Sequence, residues 1–216
     1  MFEHIIWNLT GPEIERESFR RIAAEYHGRH FSAAEWPVAR RLIHTTADFA
    51  IADTLQFRHD PIAAGLAALR RGAPIYTDAN MIKAGLSLPK LQHFYPGYTR
   101  DSIHCGVADP ATTELARREH TTRALAALQL ARPLLHGSIF LCGNAPLALA
   151  GMVKMAIEEG IRPALIVGMP VGFVNVVEAK ELLRETDLPH ITIEGRRGGS
   201  PLAVATLHAI MEQELP

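Results

Sequence analysis

Residues 40–49 bring two guanidiniums, an imidazole, two hydroxyls and a carboxylate into ten positions. In a helix, Arg41, His44 and Asp48 stand at i, i+3 and i+7 and share one face. Leu42, Ile43 and Phe49 can then bury beside that face. A cation, a titratable imidazole and a carboxylate on one stripe can hold an anion and move a proton. The same spacing also serves a solvated helix face, since structural ion pairs are common.

Other polar stretches suit anions. Arg196-Arg197-Gly198-Gly199-Ser200 sets two guanidiniums before a helix start, which favours carboxylates or phosphates. Thr121-Thr122-Arg123 adds a cation with hydroxyls. Gly143-Asn144-Ala145-Pro146 joins an expected strand to an expected helix, a position that favours anions. Gly168-Met169-Pro170-Val171-Gly172-Phe173 offers close backbone approach and apolar surface. Each of these also has a plain reading as a tight turn or a solvated loop. Gly-x-Gly-x-x-Gly and Gly-x-x-x-x-Gly-Lys-Ser/Thr are absent, so nucleotide binding has little support. No Gly-x-Ser-x-Gly elbow or Cys–His signature points to a hydrolase.

The composition narrows the class. The 216 residues are 48% hydrophobic and 21% charged, as in a soluble globular protein with a sizeable core. A net charge of −1 gives no support for nucleic acid or an anionic membrane as partner. The 11 histidines are scattered, without His-x-x-x-His or Cys-x-x-Cys spacing, so no metal site is expected. Cys105 and Cys142 lie in apolar runs and read as free thiols of a reducing cytosol. Met1-Phe2-Glu3-His4 has neither the basic nor the apolar region of a secretory signal, so none is expected. Residues 133–153 lack formal charge, yet Gly137, Gly143, Asn144, Pro146 and Gly151 break that span into strand, turn and buried helix rather than a membrane segment.

The elements that must carry these residues follow from periodicity. Residues 13–26 read as a helix with Ile14, Ser18, Ile22 and Tyr26 spaced by four. Ser18 is either a small packing residue or a hydroxyl turned to a ligand. Ser32-Ala33-Ala34-Glu35 has capping-box spacing, and the helix that carries His44 starts either at Ser32 or in a fresh turn at Pro37. Residues 53–57 are extended or loop, and 86–101 read as a loop. From residue 60 onward, strands centred near 75, 104, 140, 166 and 192 alternate with helices over 61–71, 111–135, 146–159, 176–184 and 200–214. The long region 111–135 is expected to break near Glu119-His120. Ser200 is expected to cap the last helix, with Pro201 at its first position. Short, apolar, β-branched strands alternating with helices predict one three-layer α/β/α domain over 1–216, with a mainly parallel five-stranded sheet. Ligands of such sheets bind beyond the carboxyl ends of the strands.

Five stretches, in order and at the right spacing, resemble the precorrin-8X methylmutase (precorrin isomerase) family. They are Arg41-Leu42-Ile43-His44-Thr45-Thr46-Ala47-Asp48-Phe49; Gly72-Ala73-Pro74-Ile75-Tyr76-Thr77-Asp78-Ala79-Asn80-Met81; Gly143-Asn144-Ala145-Pro146; Val167-Gly168-Met169-Pro170-Val171-Gly172-Phe173; and Arg196-Arg197-Gly198-Gly199-Ser200. The resemblance runs from about Ile14 to the last helix. It implies a flavodoxin-like fold, a cytoplasmic homodimer with its pocket near the subunit interface, and an isomerase of corrin biosynthesis. Such an enzyme moves a methyl group at ring C of a tetrapyrrole, with no redox cofactor and no protein-bound metal. By the same resemblance His44 is the catalytic histidine that exchanges a proton with the ring, and Ser18 and Arg41 contact substrate. Arg123, Arg196 and Arg197 suit the many carboxylates at the ring's edge.

Overall fold

A computed structural model describes residue 2 and residues 4–215. Among the described residues six strands form one sheet: β1 (Leu55–Arg58), β2 (Ile75–Thr77), β3 (Ile103–His104), β4 (Ile139–Cys142), β5 (Leu165–Gly168) and β6 (His190–Ile193), in the order β1-β6-β5-β4-β2-β3. The helices are α1 (Gly11–Glu25), α2 (Glu35–Thr46), α3 (Ala50–Asp53), α4 (Pro61–Arg70), α5 (Asn80–Gly85), α6 (Leu88–Phe94), α7 (Pro110–Arg118), α8 (Arg123–Leu130), α9 (Arg132–Leu135), α10 (Pro146–Glu159), α11 (Val176–Arg184) and α12 (Ser200–Met211).

β2 to β6 are parallel, and each falls where the alternation predicts it. The expected count of five is corrected to six. β1 pairs antiparallel with β6, with Leu55 opposite Ile193 and Arg58 opposite His190. The period of two explains why helices cover both faces. Ile139, Leu141, Leu165, Val167, Ile191 and Ile193 turn to one side and pack with α2, α4, α5 and α12. Phe140, Cys142 and Ile166 turn to the other side and pack with α8, α10 and α11.

Three helix expectations change. Residues 86–101 contain α6, which starts after Ser87 with Pro89 in its first turn, where a missing N–H costs nothing. Residues 111–135 break where expected, with His120 at a positive φ of 50°, and break a second time at Ala131, which gives three helices. The cap of α12 is Gly199, at φ 131°, and Ser200 is already helical. A φ of that kind is open to glycine and strained for other residues.

α2 ends at Thr46 because Ala47 flips to a left-handed φ of 51°. Asp48 therefore leaves the helix and does not continue the stripe of Arg41 and His44. Its carboxylate accepts the Ala50 N–H at 2.9 Å through one oxygen and meets Arg197 through the other. At the other end, Ser32 and Glu35 make the reciprocal capping bonds that their spacing predicts, at 3.0 and 3.3 Å.

Candidate active site

The carboxyl ends of β2 to β6 lie along one edge of the sheet. β2 sits between β3 and β4, so the chain first steps to one side of β2 and then to the other. Crevices form at such switch points. A cavity of about 510 Å³ opens there, lined by Asp78, Asn80, Thr122, Arg123, Asn144 and Asn175 among others. Arg123 is thus at a cavity mouth, at the first turn of α8, where the helix N-terminus adds its own positive end.

A second cavity, about 370 Å³, lies on the α2 side of the edge. It is lined by Arg41, Thr45, Met81, Ser200, Pro201 and His208, with further residues of α5 and α12. It reaches α2 three residues before His44 and one residue after it. Neither cavity is lined by His44 itself. Gly143 separates the two: a Cβ there would stand 2.7 Å from the Ser200 backbone, so the β4 turn and the α12 start touch through a glycine.

His44 is half-buried on α2 and packs edge-on against Phe19 of α1, ring centroids 5.3 Å apart. The Arg40 and Arg41 guanidinium carbons lie 4.2 and 4.7 Å from the same ring centroid. Phe19 therefore orders the imidazole and two cations together. Sequence reasoning missed it. The available signal was its place next to Ser18 on an amphipathic helix. The Ser18 hydroxyl donates to the Ile14 carbonyl at 2.8 Å, which leaves its oxygen able to accept.

Arg41 is mostly buried, and its guanidinium binds Glu15 at 2.6 Å and also Glu212. Glu212 in turn binds Lys90. Burial works against the Arg41 charge, but Glu15 and Glu212 outweigh it and its pKa is raised. Glu15 is correspondingly held below the usual carboxylate range by the Arg41 hydrogen bond. The network joins α1, α2, α6 and the end of α12. Next to it, His208 Nε2 accepts the Ser87 N–H at 3.1 Å, and burial with nearby Lys90 lowers its pKa to about 4.

Arg196 and Arg197 stand on the exposed loop after β6. Arg197 reaches Asp48 at 2.5 Å, and Arg196 lies over the Phe173 ring at 5.3 Å. The Asp48–Arg197 pair ties this loop to the end of the helix that carries His44. The structure thus gathers His44, Arg41 and Arg197 around α1, α2 and the last loop, with Ser18 beside Phe19 in the chain and bonded to its own helix. It places Arg123 at the separate switch-point cavity.

The Gly143-Asn144-Ala145 turn is not open to an incoming anion. The buried Asp78 carboxylate accepts its three N–H groups at 3.0, 2.8 and 2.6 Å, and Cys142 Sγ lies 3.3 Å away. Burial and that carboxylate push the Cys142 thiol well above its ordinary pKa. Among the described residues no group of three or more His, Cys, Asp or Glu side chains is arranged to hold a metal ion. No described helix is long and apolar enough to cross a membrane.

Fold and site together define an α/β protein with basic loops and one histidine-centred helix at the ligand edge of its sheet. Comparison with known proteins specifies it further. The family model for CbiC, precorrin-8X methylmutase, matches residues 13–213. A cobalt-precorrin-8 methylmutase of Leptospira interrogans is 41% identical, over 95% of this chain and 94% of its own. One from Methanocaldococcus jannaschii is 38% identical, over 92% and 89%. A precorrin-8X methylmutase structure from Thermus thermophilus superposes with a TM-score of 0.84 at 46% identity, covering 94% of this chain and 95% of that one. The chain belongs to the precorrin-8X methylmutase family, and so to the isomerases of cobalamin biosynthesis.

Proposed function

We propose that the chain moves a methyl group between neighbouring carbons at ring C of precorrin-8X or cobalt-precorrin-8, giving hydrogenobyrinate or cobyrinate. His44 is the proton donor and acceptor. The observation that carries this reading is the half-buried His44 imidazole, set against Phe19 on a helix whose end is tied to the arginine loop. A methyl shift within one molecule needs no net addition. It needs the conjugated ring in the reactive tautomer. An imidazole titrates near neutrality, so it can lend a proton to the ring and take it back after migration.

The surrounding residues have matching roles. Ser18 offers its oxygen to a polar group of the ring. Arg123, Arg196 and Arg197 take carboxylates of the periphery as charged hydrogen bonds. Arg41 keeps Glu212 and exchanges the more exposed Glu15 for a substrate carboxylate. The whole of 1–216 acts as one domain, in the cytoplasm, on a small-molecule tetrapyrrole and not on nucleic acid or membrane. A homodimer completes the pocket. Ile5, Ile6 and Trp7 before α1, and Met81, Phe173 and Val174 on the ligand edge, are large apolar residues left exposed. Apolar surface of that kind suits a second copy.

Replacing His44 with Asn tests the assignment. The variant should fold and bind a corrinoid, while turnover falls about 10²–10⁴-fold, the usual share of a general acid–base group. Turnover near the wild-type value would remove His44 from the mechanism. Assaying metal-free and cobalt-containing substrate side by side determines which one the enzyme uses.

A further inference from the structure

Lysine is almost never fully buried without a partner. Lys180, on α11, is 2% exposed and makes no ion pair among the described residues. Its Nζ donates to two backbone carbonyls, Gly195 at 2.8 Å and Arg197 at 2.6 Å. Both belong to the loop that displays Arg196 and Arg197. That loop is also pinned from the side. Gly199 N–H donates to the Met169 carbonyl at 2.9 Å, and a Cβ on Gly198 would stand 2.2 Å from the same oxygen.

Satisfying the two carbonyls does not require a lysine. A neutral donor such as a side-chain amide can serve backbone carbonyls equally well. A buried, unpaired ammonium is a cost that the fold has no evident need to bear. Burial accordingly pulls the Lys180 pKa down to about 8, which still leaves it charged at neutral pH. Lys180 stands under the loop that carries Arg196 and Arg197, and among the described residues Asp48 is the one carboxylate paired with any of these three cations. The loop is short of negative charge.

The geometry points to Lys180 as the positioning residue of the arginine loop, its buried charge balanced by a carboxylate of the bound substrate. This rests on the proposed binding of a polycarboxylate ring by Arg196 and Arg197. Lys180 does not touch the substrate in this arrangement. It sets the loop backbone and raises the local potential, so that a carboxylate docks on guanidiniums already in place.

Lys180→Met and Lys180→Gln test this in the full chain. The first removes the charge and both donors, and the second keeps a donor. Lys180→Gln should melt at or above the wild-type temperature, and Lys180→Met should stay folded. KM for precorrin-8X or its cobalt form, whichever the wild type converts, should rise about ten-fold or more with kcat held within two- to three-fold. A purely structural lysine would instead lower the melting temperature and leave KM unchanged, and that result overturns the proposal. An unchanged KM in Lys180→Gln, with Lys180→Met unfolded, overturns it equally. The two readings fail differently. If wild type converts neither substrate, the family reaction is wrong for this chain. If wild type is active and KM does not move in either variant, only the role of Lys180 is lost.

Discussion

Two turns at the ligand edge look alike in sequence and are opposite in structure. Gly143-Asn144-Ala145-Pro146 and Arg196-Arg197-Gly198-Gly199 both precede helices, and both suit anions. The first is already filled by the carboxylate of Asp78, 65 to 67 positions away in the chain. The second is underpinned by a buried cation and presents two guanidiniums outward. An anion-binding backbone is thus no guide to where a ligand goes until its internal partners are known. The closed turn spends its donors inside the fold, and the open one leaves its guanidiniums at the surface.

The contrast can be broken most forcefully at Asp78. Alanine there orphans two buried N–H groups and a half-buried third, each buried one worth about 1–3 kcal/mol. Unfolding in urea should show a loss of at least about 2 kcal/mol. A variant as stable as wild type would mean that the turn does not need its internal carboxylate.

The open turn predicts a pH signature. Lys180 has a folded pKa near 8 and an unfolded value near 10.5. Between those values the unfolded chain holds more protons, so this contribution to stability grows as pH rises and is lost as pH falls through about 8. Its slope approaches about 1.4 kcal/mol per pH unit. Wild type should gain stability relative to Lys180→Met across that window, and parallel curves would refute the buried charge.

Smaller again is Arg197→Leu. A charged hydrogen bond contributes roughly 1.5–3 kcal/mol, so corrinoid affinity should drop about ten-fold or more. Thermal stability should stay close to wild type, because an exposed ion pair to Asp48 contributes little. Unchanged affinity would make the second turn as closed as the first.

Much of this was legible in advance. β4 and β5 are wholly buried apolar runs, and burial on both faces leaves a plain signature. β1 is not of that kind. Gln56 and Arg58 dilute its pattern, and its pairing depends on β6, more than 130 positions later. Asp48 was misplaced because a left-handed Ala47 ends α2, and alanine gives no warning of that. His44 and the arginines can be singled out from residue type and spacing. Phe19, Asp78 and Lys180 cannot, because what they do depends on partners remote in sequence or on a stacking geometry that spacing does not encode.

The packing of α2 along α12 bears on the order of assembly. The His44 helix lies near the start of the chain, and its support comes from the last helix. Arg41 likewise waits for Glu212, and β1 for β6. Contacts between segments so far apart form slowly, because long loops must close first. During synthesis, at about 5–20 residues per second, the amino-terminal third emerges well before its partners exist. The parallel core can form around the centre of the sheet in the meantime. The corner around His44 is then the last part to close, and it closes only once the C-terminal helix has arrived.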